Sequence, residues 1–530
     1  MLCSRTTCAK AFSGHIKLLV SVKSAIFSKQ QGKPCTMDLG GAWTLFLAIV
    51  IPCLFLTLAW NKMYRNRALP PGPTPLPIIG NMLQLCFGQM AKSMIKLSEQ
   101  YGDVYTVYLG SRPVVVLHGY DAVKEALEDH ADEFSGRGTF PTVDGFFQGF
   151  GVILSSGEHW AQLRRFSLTA LKDFGMGKRS IQERITEEAE FLAEDLRSRK
   201  GTLFDPTTIL TLAFSNIIYS IVFNERFDYQ DKESAELVKT ASEIFEHVSS
   251  RWGQMLDIFP TLMKYIPGRH QKIIPLFLQR QDFIAEKVKK HQQTLDLTSP
   301  HDYIDCFLIQ MEKEKNNLAS VFNMKNLLTS VENLFFAGTE TASTTIRSGL
   351  LVLLKYPEIE EKIHEEIDRV IGPNRSAVYE DRSQMPYTEA VLHEMQRFAD
   401  VLPMNLPHQV MQDITFRGYF IPKGTDVMPL LCSVLRDSKV YKDPENFHPE
   451  HFLDENGGFK KNRAFMPFSA GKRLCLGDVM AKMELFLFLV AILQNFSLHS
   501  PVDPKDIDIN PRMTGFANQP LPYEISFVPR

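Results

Sequence analysis

Cysteine is scarce and poorly spaced for cross-linking. The eight cysteines, at positions 3, 8, 35, 53, 86, 306, 432 and 475, include no CxxC pair. Neither a zinc site nor a disulfide framework is expected, and a reducing compartment suits the folded part. Excess charge of either sign is missing too. A formal net charge of −3 leaves no basic footprint for nucleic acid, so a run such as Lys460-Lys461-Asn462-Arg463 reads as solvated surface. No internal repeat, long low-complexity tract or obvious linker interrupts residues 78–530, which argues for one large domain. With 44% hydrophobic and 22% charged residues, the composition is that of an ordinary globular core.

A long apolar run does occur near the N-terminus, at residues 39–60. Its 22 residues, at about 1.5 Å rise each, suffice to cross a bilayer core of about 30 Å. Trp43 and Trp60 sit near its ends, where amphipathic rings favour the headgroup layer. No small-x-small site follows, so an uncleaved anchor is expected rather than a removed signal peptide. Lys62, Arg65 and Arg67 follow the run, while residues 1–36 carry six Lys or Arg and no acid. Both flanks therefore claim the cytosolic side, a conflict under the positive-inside rule. A chain starting at Met37, with only Asp38 ahead of the run, removes the conflict. Residues 1–36 thus read as an alternative upstream start, with a mitochondrial presequence as the rival reading. Next, residues 69–77 hold five prolines in nine positions, a stiff segment that reads as a spacer. The expected organisation is an extension at 1–36, an anchor at 37–61, a basic and proline-rich linker at 62–78, and a globular domain at 79–530.

In the globular part, two β-rich runs flank Gly110-Ser111-Arg112 and predict a hairpin. Helical periodicity dominates afterwards, notably at 179–198, 233–250, 276–293, 325–352 and 357–371, and short strands return around 407–430 and after about 505. The expected fold class is mainly α with a small β region.

Chemistry concentrates in Phe468-Ser469-Ala470-Gly471-Lys472-Arg473-Leu474-Cys475-Leu476-Gly477. Cys475 stands between glycines that admit close backbone approach, just before a helical run whose first amides favour negative charge. That setting suits a metal ligand or a nucleophile; a small buried cysteine on a tight turn is the plain alternative. Ala337-Gly338-Thr339-Glu340-Thr341 places glycine, hydroxyls and an acid inside a long apolar helix, against helix propensity. Threonine back-bonding to the i−4 carbonyl would make that harmless. Glu394 and Arg397 lie at i and i+3, which elsewhere gives a weak surface ion pair. Trp160 and Arg164 put an indole donor and a guanidinium one turn apart, suited to one shared carboxylate.

The pattern Phe-x-x-Gly-x-Arg-x-Cys-x-Gly resembles the haem-binding loop of the cytochrome P-450 superfamily, with Phe468, Gly471, Arg473, Cys475 and Gly477 at its five positions. The resemblance covers roughly residues 60–530. It implies a cytochrome P-450 fold behind a single transmembrane helix, with Cys475 as the axial ligand of haem b. Thr341 and Glu340 would be the hydroxyl and acid of oxygen activation, with Gly338 leaving room for oxygen. Trp160, Arg164, Arg473 and His408 would contact the haem propionates. Glu394 and Arg397 match a structural lock whose third partner, usually arginine, is His451 in Pro449-Glu450-His451-Phe452, which suggests a weaker or pH-sensitive lock. Pocket walls are implied at Phe140, Phe146, Phe147, Phe150, Phe335, Phe336, Ala337, Val401, Leu402 and Phe516. The segment at 258–266 is implied as a second membrane contact, with inward packing as the alternative.

Residues 416–425 and 173–180 look like the vertebrate microsomal family 2. The implied activity inserts one atom of O2 into a lipophilic xenobiotic, fatty acid or steroid at the cytosolic face of the endoplasmic reticulum. Electrons would come from NADPH through an FAD/FMN reductase, with cytochrome b5 as an optional second partner. Arg165, Lys172, Lys460, Lys461 and Lys472 are the implied docking charges. A haem-thiolate isomerase or peroxide-rearranging enzyme, or a non-catalytic haem-binding membrane protein, would share Cys475. The sequons at Asn374 and Asn495 are expected to stay unmodified in a cytosolic domain.

Overall fold

The computed structural model describes residues 69–530, Met513 and Thr514 by backbone alone, and nine positions between 44 and 58. The chain divides into two compact units, Met1–Arg67 and Ala68–Arg530. In the first unit the nine described positions are all helical, and Phe46, Ile51, Leu54, Phe55 and Leu58 are exposed. The N-terminal extension, the Met37 start and most of the expected anchor lie outside the described residues. Among the described residues no helix is long and apolar enough to cross a membrane.

The second unit is mainly helical. Its labelled helices are α1 (Met90–Tyr101), α2 (Pro141–Phe147), α3 (Gly157–Asp173), α4 (Arg179–Ser198), α5 (Thr207–Val222), α6 (Lys232–Ser249) and α7 (Arg251–Ile258). They continue as α8 (Ile273–Thr294), α9 (Tyr303–Lys313), α10 (Met324–Lys355), α11 (Pro357–Val370), α12 (Pro386–Ala399) and α13 (Asp478–Asn495). The five helical patterns read from sequence correspond to α4, α6, α8, α10 and α11. Helix α5 is buried all round, with Ile209, Leu210, Leu212, Ala213, Phe214 and Ile217 among its buried residues, because it lies inside the bundle against α10.

The predicted hairpin is β1 (Val104–Leu109) with β2 (Arg112–Leu117). They belong to a five-stranded sheet of order β1-β2-β5-β4-β3, where β3 is Gly136–Arg137, β4 is His408–Gln409 and β5 is Asp426–Pro429. The β3–β4 register sets Arg137 directly opposite His408. The proline-rich segment is no free spacer. Pro70, Pro73 and Pro75 are buried; Thr106 of β1 donates its amide to Pro71 O at 2.8 Å, and Asn81 Nδ2 donates to Pro73 O at 3.0 Å. Prolines lack an N–H, so the segment caps this edge of the sheet as an acceptor. The segment at 258–266 splits: Ile258 and Met263 are buried, whereas Leu262 and Tyr265 are exposed.

Candidate active site

The Cys475 loop is a short turn wedged between the sheet domain and α13. Residues Gly471–Arg473 form one 3-10 turn, and the Cys475 amide closes the loop on Phe468 O at 3.0 Å. Gly471 has φ +65°, and a Cβ there would lie 1.6 Å from Leu127 O. Only glycine fits both demands. Arg473 is buried and spends its guanidinium on carbonyls, with Nε on Ser135 O at 2.6 Å and Nη2 on Ser155 O at 2.7 Å. Its Cζ stacks 3.8 Å from the centre of the Trp160 ring.

These residues line a cavity of about 240 Å³. Cys475, Phe468 and Gly477 form one wall; Ala337, Gly338 and Thr341 of α10 form another, and Val401, Leu402 and Leu406 close it from the segment after α12. The accessible surface of Cys475 opens into this cavity. Burial pushes its thiol up, and the Gly477 amide and the Arg164 guanidinium oppose that.

One rim of the cavity is cationic. Arg137, Arg164 and Arg473 all line it, and among the described residues none of the three forms an ion pair. Burial and then the Arg164 charge press Arg137 down to about 9, while burial with Arg137 and Arg164 presses Arg473 down to about 7. Guanidiniums hold their protons tenaciously, so an anion is what this rim lacks. The indole Nε1 of Trp160 is buried without a partner. Arg137 carried no motif of its own; only the β3–β4 register brings it here. His408 lies behind it rather than on the cavity wall. Its Nδ1 lies 2.7 Å from Phe134 O, so that nitrogen donates, and Nε2 accepts from Arg137 Nη1 at 3.3 Å. Burial, with the Arg137 charge second, drives His408 down to about 3. In the protein alone His408 therefore meets Arg137 as a neutral ring.

Helix α10 fans its polar residues outward. Thr341 faces the cavity and donates from Oγ1 to Ala337 O at 2.7 Å, the i−4 bond of the plain reading. Thr339 accepts from Ser215 of α5 at 3.3 Å. Glu340 faces α6, where Oε1 accepts from Ser242 at 2.8 Å; Oε2 is buried without a partner, and burial pushes the carboxyl up. At Gly338 a Cβ would stand 2.5 Å from Ile218 Cδ1, so this glycine also lets α5 approach. Glu484 was missed: an acid in the apolar run of α13, it lines the cavity with Oε1 unpartnered and is raised by burial alone.

The phenylalanines sort differently from expectation. Phe140, Phe146, Phe147, Phe336 and Phe516 join Phe277 in a separate aromatic cluster, with Phe146 stacked on Phe277 at 4.8 Å. Phe335 turns to Tyr219 at 4.5 Å, and Phe150 meets His159 and Lys325. Of the expected pocket positions, Ala337, Val401 and Leu402 line the cavity.

Glu394 and Arg397 form no surface pair. Both are fully buried and bidentate, at 2.6 and 2.7 Å. Arg397 also donates to the carbonyls of Leu435, Pro444 and Asn446. His451 places Nδ1 3.1 Å from Glu394 Oε2 and Nε2 2.6 Å from Lys442 O. Both ring nitrogens face acceptors, a carboxylate on one side and a backbone carbonyl on the other, where the resemblance leads one to expect arginine. The expected docking charges Arg165, Lys172, Lys460, Lys461 and Lys472 are exposed, with Lys472 paired to Asp132.

Comparison with known proteins agrees with this geometry. The family model described as Cytochrome P450 matches residues 70–527, and the chain belongs to that family. It is 54% identical over 494 residues to cytochrome P450 2G1 of Oryctolagus cuniculus, covering 93% of this chain and 100% of the relative. Cytochrome P450 2C23 of Rattus norvegicus is 52% identical over the same shares. Cytochrome P450 2A13 of Homo sapiens is 53% identical, covering 92% and 99%. These relatives bear out the resemblance to the vertebrate family 2, and the chain is a cytochrome P450 monooxygenase of the haem-thiolate class. The residues present fit such a cofactor: an unpaired cationic rim and an orphaned indole suit two carboxylates, and a cysteine opposite α10 suits a metal.

Proposed function

We propose that this enzyme inserts one atom of O2 into a lipophilic substrate and reduces the other to water, with electrons from NADPH through a membrane-bound flavoprotein reductase. The observation that carries the reading is the cavity itself, which joins a cysteine, a cationic rim without acids, and a threonine hydroxyl. Cys475 Sγ would hold the haem iron, and Arg137, Arg164, Arg473 and the Trp160 indole would hold its propionates. When bound, the haem supplies the iron at which O2 is activated.

The protein's own part is to position, dry and protonate. Phe468 and Gly471 shape the loop that fixes Cys475. The apolar walls at Ala337, Val401, Leu402 and Leu406 exclude water and select lipophilic molecules such as xenobiotics, fatty acids or steroids. Thr341 Oγ1 holds a proton at the cavity surface, and Glu340, whose carboxyl burial pushes up, is an acid one residue away in the middle of α10. Exposed basic residues, including Arg165, Lys172, Lys460 and Lys461, support an acidic electron donor, the reductase or cytochrome b5. The apolar run at 39–60 supports anchoring in the endoplasmic reticulum membrane, with the domain in the cytosol and both sequons unmodified.

Reconstitution of the full chain with reductase in lipid vesicles tests this. NADPH- and O2-dependent product is expected, and Cys475→Ser is expected to lose the thiolate-type carbon monoxide spectrum. Thr341→Ala should keep that spectrum while product per NADPH falls about tenfold or more. Turnover driven by a peroxide substrate without NADPH would favour a rearranging enzyme instead, and haem binding without any turnover a non-catalytic protein.

A further inference from the structure

Helix α10 meets hydroxyls of its neighbours at three places, and one of these contacts differs from the other two. Thr339 meets Ser215 of α5 at 3.3 Å, and Ser343 meets Thr211 of α5 at 3.5 Å. All four of those side chains are buried, so these contacts end inside the core. Glu340 instead accepts from Ser242 of α6 at 2.8 Å. Glu340 is 0% exposed, whereas Ser242 is only half-buried. A sealed acid is thereby joined to a residue that reaches the surface.

Nothing else near Glu340 brings it a proton. Among the described residues it forms no ion pair, and Ser242 is the one side chain hydrogen-bonded to it. Arg280 is spent on Glu332 at 2.9 Å, and Arg347 attracts the carboxyl only from beyond ion-pair distance. The α10 wall of the cavity is made by Ala337, Gly338, Thr341, Ala342 and Thr345, without Glu340. Its Oε2 is buried without a partner, which leaves that oxygen free to pass a proton onward. Reducing one atom of O2 to water consumes two protons in every turnover, so a buried acid that gives one up has to be refilled.

We propose that Ser242 is the positioning residue through which solvent protons refill Glu340. A serine hydroxyl both donates and accepts. Its Oγ–H proton passes to Glu340 Oε1 while Oγ takes a proton from a hydronium ion on the outer side. The O–H bond broken on Ser242 is replaced by the one formed there, the carboxylate becomes a carboxyl, and a water molecule is released. The serine ends unchanged and no electron moves. This role rests on the reading of Glu340 as the acid of the reaction, and it supplies what Glu340 and Thr341 alone do not contain, a way in from solvent. Threonine at position 242 keeps the hydroxyl; alanine removes it and little else.

Infrared hydrogen–deuterium exchange of the haem-loaded full chain at about pH 6 tests the route. The carboxyl band of Glu340 is the one missing from Glu340→Gln. After transfer to D2O, its isotope shift is expected to develop about tenfold more slowly in Ser242→Ala than in wild type, and at close to the wild-type rate in Ser242→Thr. A bond that merely clamped α6 to α10 would, once cut, leave the exchange equal or faster. That result, or the loss of no band in Glu340→Gln, would overturn the proposal. Both Ser242 variants are expected to keep the wild-type carbon monoxide spectrum, because Ser242 does not line the cavity; its loss would make Ser242 a structural residue instead. With reductase, product per NADPH should fall several-fold in Ser242→Ala and recover in Ser242→Thr. A fall in Glu340→Gln beside wild-type coupling in Ser242→Ala would remove Ser242 alone from the reaction, whereas wild-type coupling in Glu340→Gln would remove the acid reading itself.

Discussion

Two of the buried polar clusters in this domain are built around arginine, with opposite results. In the Glu394 cluster, a carboxylate faces the Arg397 guanidinium and the His451 ring, and the guanidinium hydrogens reach the acid or backbone carbonyls. At the cavity rim, Arg137, Arg164 and Arg473 face one another with no acid, and the Trp160 indole has no acceptor. Native proteins rarely leave buried polar groups unmatched. A cluster that satisfies itself is architecture; one that repels itself is shaped for something the chain does not contain. The difference locates the anionic part of the ligand without any motif.

The comparison breaks most visibly if the self-satisfied cluster is opened. Arg397→Ala leaves Glu394 buried and short of its main partner, which costs about 3–5 kcal/mol. Expression as a soluble haem protein should collapse, and a denaturant midpoint close to wild type would show that the pair is not structural. His451→Gln should cost less, because a neutral amide donates to only one of the two acceptors the ring serves.

The rim should behave in the reverse sense. Arg164→Gln removes one of three mutually repelling charges and a single bond to Leu474 O. The haem-free protein is expected to be as stable as wild type or more so. Haem retention should suffer, because a hydrogen bond to a charged group is worth about 1.5–3 kcal/mol, or roughly 10- to 100-fold in release rate to a haem acceptor. Stability and haem retention falling together would erase the distinction between the two clusters.

How much of this could be read in advance depends on the range of the interaction. The loop around Cys475, the Trp160 pair and Thr341 are local patterns, and each lands on the cavity because neighbours in sequence stay neighbours in a turn or helix. Arg137 could not be found that way, since its place follows from pairing with His408 across 271 residues. Glu340 was legible as an unusual acid, but which neighbour it faces depends on where α6 packs. Phe335 and Phe336 are adjacent, yet one meets Tyr219 and the other joins the Phe277 cluster; a helix rotates about 100° per residue, so adjacency says nothing of shared walls. Helix α5 escaped notice because a helix buried on all sides has no polar face to give it a period. The proline segment looked like a spacer because its partners are backbone groups of β1, which no composition reveals.

Asp400 tests the middle of the range between the two clusters. It ends α12 in the left-handed region at φ +43°, is 3% exposed, and lies 3.9 Å from Arg436 Nε, so among the described residues its side chain has a charge neighbour but no hydrogen bond. Burial outweighs the attraction of Arg436 and Arg397 and pushes its carboxyl up to about 7. Below pH 4 the folded and unfolded chains both hold this proton, and its stabilising effect is fully present. As pH rises from about 4 to about 7 the unfolded chain releases the proton while the folded chain keeps it, so stability falls, and above 7 the loss is complete. Asp400→Asn cannot ionise, and asparagine tolerates the left-handed conformation. Its unfolding free energy, measured by denaturant from pH 5 to pH 8, should lack that fall and overtake wild type towards pH 8 by about 2 kcal/mol. Parallel curves for the two proteins would mean that Arg436 already matches the acid and that Asp400 belongs with the satisfied cluster.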